Sequence, residues 1–105
     1  MPNRAFHIPD PKTSWGSFPV EIDLSSWLDT GETIQGVSWS AKEVETGTDV
    51  STTVLDAGQN TYDTTKMYPW IKNGTSGKRY QVSMKVTTNL GPKDEFFLIF
   101  DVLDP

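Results

Sequence analysis

Residues Gly74–Thr88 read GTSGKRYQVSMKVTT. A glycine-rich turn opens the stretch. Tyr80, Val82, Met84, Val86 and Thr88 then fall on one face, and Gln81, Ser83, Lys85 and Thr87 on the other. Strict alternation, rich in β-branched and aromatic side chains, is the pattern of a half-buried strand, because successive side chains of an extended chain point to opposite sides. The flanking sequence reads as partners for this strand.

On its C-terminal side, Glu95–Leu103 predicts a last strand. Phe96, Leu98, Phe100 and Val102 share one face, and Phe97, Ile99 and Leu103 share the other, interrupted by Asp101. A strand apolar on both faces is expected to be covered on both. Either the N-terminal segment or another chain must then supply the second cover.

On its N-terminal side, Phe18, Val20, Ile22 and Leu24 alternate with Pro19, Glu21 and Asp23, which predicts a strand that Pro19 starts or places at an edge. Ser25 can cap a short helical turn and Gly31 can end it, with Trp27 and Leu28 plugging one end of the core. Val37, Trp39 and Ala41 alternate with Ser38, Ser40 and Lys42, and Ile34 is out of phase with them. A bulge near Gly36 reconciles the two sets. The β-branched run Ser51–Leu55 reads as a short strand between two turns, and Asp63–Tyr68 as another that Pro69 stops.

With turn signals about every ten residues and no long amphipathic helix, the expected fold is all-β. It is a single antiparallel β-sandwich of about six or seven strands. Residues 18–105 form that domain. Residues 1–17, interrupted by Pro2, Pro9 and Pro11, form an extended arm, since proline forbids a regular helix there. Phe6, Ile8 and Trp15 give the arm something to bury.

The chain has 105 residues, enough for one domain with a core of its own, and four Trp, five Phe and three Tyr to fill it. It has no cysteine, which suits a reducing compartment and excludes thiol chemistry and zinc ribbons. No apolar run reaches the ~20 residues of a membrane span, and no signal-peptide pattern is present. The net charge of −5 argues against nucleic acid as main partner. Charge is nevertheless segregated: between Thr64 and Lys93 the charged residues are Lys66, Lys72, Lys78, Arg79, Lys85 and Lys93, and all 14 carboxylates lie outside. This is either a solvated basic face or one end of a dipole that meets an acidic neighbour.

Catalytic chemistry finds no footing. The only histidine, His7, sits in the proline-rich arm, where a preorganised base is not expected. No calcium-loop, zinc or phosphate-loop spacing occurs, and Asp56, Asp63 and Asp101 read as turn residues before metal ligands. No cofactor, metal site or catalytic residue is expected. Trp15, Tyr62, Tyr68 and Trp70 could stack on sugar rings, so an adhesion or carbohydrate-binding module is the rival class.

Two pieces resemble the second and sixth strands of fibronectin type III and other Ig-like domains: Val37-Ser38-Trp39-Ser40, and Tyr80-x-Val82-x-Met84-x-Val86 followed by Asn89-Leu90-Gly91. The resemblance makes Tyr80 a tyrosine-corner residue whose hydroxyl returns to the preceding loop. A longer pattern, Ile22-Asp23-Leu24-Ser25-Ser26-Trp27-Leu28, Gly31-Glu32-Thr33-Ile34, Trp39, then Gly74-Thr75-Ser76-Gly77 leading to Tyr80, Val86-Thr87-Thr88 and Gly91, resembles small Ig-like tailed-phage virion proteins of the fibre–tail adaptor, neck or tail-joining type. It spans residues 20–103. The resemblance implies a non-enzymatic phage or prophage structural protein, made in bacterial cytoplasm and built into the virion. Its partners would be other tail, neck or fibre proteins or further copies of itself. Phe6, Ile8, Trp15, Phe97, Ile99 and Leu103 are the expected contact residues.

Overall fold

A computed structural model describes residues 4–105; the first three residues of the expected arm, Pro2 among them, lie outside the described residues. Its centre is the hairpin that the opening stretch predicted. Strand β8 (Arg79–Thr88) turns at Asn89-Leu90 into β9 (Gly91–Asp101), and the two pair antiparallel from Thr88↔Gly91 to Arg79↔Asp101. The last strand begins earlier than Glu95 because this turn is so short.

On the other edge of β8 lies β4 (Ile34–Glu43), again antiparallel, with Trp39 opposite Met84 and Ala41 opposite Val82. The register shifts between Ile34 and Gly36, so the expected bulge exists and returns Ile34 to the buried face. Strand β1 (Ala5–His7) runs parallel to β9 with Phe6 opposite Leu98, completing a sheet of order β1-β9-β8-β4.

Smaller sheets cover one face of this layer. Strand β2 (Ser17–Pro19) pairs with β7 (Trp70–Lys72). Strand β3 (Ile22–Asp23) pairs with β6 (Lys66–Tyr68), which pairs with β5 (Thr61–Tyr62). The expected strand over Phe18–Leu24 is therefore two strands, each with its own partner. Pro69 separates β6 from β7 in the same way. These breaks, together with β1 and β5, give nine strands among the described residues, in a molecule that is nearly all-β. The arrangement is consistent with an Ig-like sandwich.

Between the layers, Ile22, Leu24, Met67 and Ile71 meet Val82, Met84, Phe96, Leu98 and Phe100 in one core. Trp27 closes one end, its ring edge-on to Phe96 at 5.2 Å. Full burial of side chains this size supplies most of the driving force, at about 1.5–3 kcal/mol each.

Ser51–Leu55 departs from expectation. Ser51–Val54 is one helical turn, α1, and Leu55 is extended. Asp49 accepts hydrogen bonds from the Ser51 amide at 2.9 Å and hydroxyl at 2.7 Å, and the Ala41 amide donates to the Ser51 hydroxyl at 2.9 Å. Those tethers curl the backbone and let Val54 plug the core, overriding a β-branched composition.

The tyrosine corner is present. The Thr75 amide donates to the Tyr80 hydroxyl at 2.8 Å, and the Tyr80 ring stacks on Phe100 at 5.4 Å. Gly74 makes this possible. Its φ is +100°, and a Cβ there would lie 2.7 Å from Val102 Cγ2 and 3.1 Å from Tyr80 Cε2. Gly47 also has positive φ, +73°, but a Cβ there would meet nothing within 4 Å. Gly74→Ala therefore combines backbone strain with overpacking and should destabilise by about 2–4 kcal/mol, against about 1 kcal/mol for Gly47→Ala. Guanidinium unfolding midpoints of the two variants check this; equal losses would refute the corner as the tight point of the fold.

Candidate functional site

Strand β9 has one face in the core and one outside. On the outer face Phe97 lies between Ala5 of β1 and Ser83 of β8, and Ile99 between His7 and Gln81. Both are half-buried by these neighbours. The cover expected over this face is not the arm: β1 lies beside β9, in the plane of the sheet. Ser83 and Ser40 continue the row of Phe97 as small uncharged side chains, and Lys42 ends the row of Ile99 and Gln81. The ends of the face are charged, with Lys85 opposite Glu95 at one and Arg79 bound to Asp101 at 2.7 Å at the other. The apolar pair Phe97 and Ile99 framed by charges has the pattern of an apolar interface centre within a polar rim.

The six expected contact residues separate into two groups. Phe6 and Ile8 pack against the chain's own core. Phe97, Ile99, Leu103 and Trp15 face outward, Leu103 at 57 % exposure and Trp15 at 93 %. The Leu103 amide donates to the Lys12 carbonyl at 2.9 Å, and the Ser14 amide and hydroxyl donate to the Asp104 carboxylate at 2.8 Å. These bonds tie the backbone beside Trp15 to the backbone beside Leu103. A shallow open groove walled by Pro11, Arg79 and Asp101 adjoins Leu103.

Lys12 fixes this junction, and nothing in its sequence context marks it. Its backbone bridges Val102 and its side chain is buried, with the ammonium donating to the carbonyls of Thr13 and Asn73. Burial lowers its pKa; nearby Asp104 acts in the opposite sense. The loop carrying Trp15 is thus clamped to the body at its base.

The segregated charge is largely consumed within the chain. Lys66 pairs with Glu21, Lys78 with Glu43 and Glu45, Arg79 with Asp101, and Lys93 with Glu32. The carboxylates weighed as calcium ligands are dispersed. Asp63 holds the Thr65 and Lys66 amides and the Tyr68 hydroxyl, and Asp101 holds Arg79. Among the described residues no cluster of potential metal ligands forms. Three of the four sugar-stacking candidates are tied locally: the Trp70 indole donates to Ser17, the Tyr62 hydroxyl to the Gln35 carbonyl and the Tyr68 hydroxyl to Asp63, while Trp15 stays exposed.

The family of the podophage GP4 fiber-tail adaptor protein gp77 matches residues 12–100. The chain belongs to this family. No curated protein and no solved structure matches it significantly. The family is one of structural phage tail adaptors, so the site to be sought is a protein-binding surface. The matched span includes Trp15, Phe97 and Ile99, whereas β1 and Leu103 lie outside it.

One further cluster stiffens the β8–β9 turn that borders the outer face. Buried Glu32 accepts from the Thr88 hydroxyl at 2.6 Å, from Lys93 at 2.9 Å and from the Asp29 amide at 2.9 Å. These donors pull its pKa down from 4.5 to about 2, with the Thr88 hydroxyl the leading cause. A carboxyl more acidic in the folded than in the unfolded chain stabilises fully above pH 4.5 and loses that contribution as pH falls toward 2. Glu32→Gln should therefore unfold at lower denaturant than wild type at pH 7, and the gap should narrow between pH 4.5 and pH 2. Unfolding midpoints across that range decide it; a constant gap would remove Glu32 from the acid response.

Proposed function

We propose that this chain is a non-enzymatic structural subunit of a phage or prophage virion, made in the host cytoplasm. It joins a tail component to a fibre component by protein–protein contact. The family match carries this reading, and the site that realises it is the outward-facing set Trp15, Leu103, Phe97 and Ile99.

The physics of attachment follows from the geometry. A tryptophan left almost wholly in water is a large apolar area awaiting a pocket, and tryptophans are over-represented among residues that dominate binding energy. Because Lys12, Ser14 and Asp104 clamp its base, less chain entropy is lost when it inserts. Phe97 and Ile99 add a flat apolar patch on a rigid strand, so the partner meets a preformed shape.

Trp15→Ala and the double variant Phe97→Ser with Ile99→Thr test the reading. Trp15→Ala should leave the circular dichroism and thermal midpoint nearly unchanged, since exposed substitutions shift stability by only about 0.5 kcal/mol. Retention of the chain in assembled tails, measured by quantitative blotting of purified particles, should fall by roughly 30-fold or more, as expected for a hot-spot residue worth about 2 kcal/mol. Wild-type retention in both variants would overturn the assignment of this face.

A further inference from the structure

The outer edge of β4 is left open between two brackets. At its start the Ile34 amide donates to the Thr64 carbonyl at 2.9 Å, and the Tyr62 hydroxyl donates to the Gln35 carbonyl at 2.8 Å. At its end the Val50 amide donates to the Ala41 carbonyl at 3.0 Å, the Ala41 amide to Ser51 Oγ at 2.9 Å, and the Glu43 amide to the Thr48 carbonyl at 2.9 Å. Ala41 and Glu43 thus turn their backbone groups away from β8. Backbone polarity alternates along a strand, so Trp39 and Val37 turn theirs the same way. Among the described residues nothing pairs with Val37 or Trp39 on that side. Residues 36–40 form a slot roughly 17 Å long at about 3.4 Å per residue.

We propose that this slot binds an extended, acidic segment of a partner polypeptide, which adds to the sheet as a further strand beside Val37 and Trp39. It is a second attachment point, independent of the Trp15 and Phe97 face.

Two observations choose the occupant. The brackets admit a single free strand and exclude a second copy of this chain. A neighbouring β4 would arrive antiparallel with its own Tyr62 and Val50 projecting, and each would meet a bracket across the axis. Charge specifies the rest. Lys42, just past the slot and opposite Asp49, and Lys85, beside Ser38 and opposite Glu95 in register, share the outer face of the sheet; Asp49 is held by Ser51, and neither lysine has an ion pair among the described residues. A carboxylate on the outer side of the added strand would reach them. Main-chain bonds supply affinity in this mode and the flanking charges supply selectivity.

Amide hydrogen exchange on the full chain, isolated and within purified particles, provides the test. In the isolated chain the Val37 and Trp39 amides should exchange at nearly the unprotected rate, while those of Ser38 and Ser40, facing β8, should be slow. In particles the Val37 and Trp39 amides should slow by 100-fold or more. A zero-length carbodiimide cross-link should then join Lys42 or Lys85 to an aspartate or glutamate of a different polypeptide. Val37→Pro removes an edge donor and no bond to β8, so it should fold and lose that cross-link, whereas Ser38→Pro should unfold. Unchanged fast exchange in particles overturns the proposal, as does a cross-link to another copy of this chain.

Discussion

Strand β8 is hydrogen-bonded along both edges and buried on one face, and the rest of the molecule is subordinate to that constraint. Its partners must match its register, because a slip of one residue would carry Val82, Met84 and Val86 from the core to solvent. The bulge at Gly36 and the register shift beyond Val86 are the local adjustments that keep both ladders in phase with it. Tyr80, at its start, ties the incoming loop to the strand through the Thr75 amide, so the same element also fixes how the chain enters the sheet.

Where a segment's own pattern agreed with this frame, the sequence was enough. Alternation identifies β8, and the phase conflict between Ile34 and Val37 locates the bulge. The resemblance to Ig-like domains placed the tyrosine corner on the correct residue. Short segments were less legible. Ser51–Val54 has a strand's composition but is curled by Asp49, and hydrogen bonds from one side chain to one amide leave no periodic trace. Phe18–Leu24 keeps strand alternation throughout, yet its two halves pair with different strands, which periodicity does not encode.

The candidate surface was legible to the same degree. A last strand with apolar residues on both faces announced that something must lie on Phe97 and Ile99. What sequence did not disclose is that residues 5–7 go to the edge of β9 and leave that face open. Nor did it disclose that Phe6 and Ile8 would turn inward while Trp15 turns outward. The reason is Lys12: burial of one cationic side chain against two carbonyls fixes where the arm leaves the sheet, and a lone lysine between Pro11 and Thr13 carries no pattern from which that could be read.

An adaptor must hold two partners at once, and the sheet order β1-β9-β8-β4 bears on how one small domain could do so. The apolar pair Phe97 and Ile99 belongs to β9, whereas the proposed slot lies beyond β4. Three strand spacings, roughly 14 Å at about 4.8 Å each, separate the two. That distance lets a strand occupy the slot without displacing a partner seated over β9. The intervening strands are β8, the most constrained element of the fold, and β4, so a load applied at one side is transmitted through ladders of hydrogen bonds rather than through a loop. The placement would also separate the forces: at β9 affinity would come from burying apolar area, which salt scarcely weakens, and at β4 from main-chain bonds and exposed lysines, which salt screens. Two attachments that respond differently to their surroundings can form in sequence, one while the partners are still free and the other when both are already aligned.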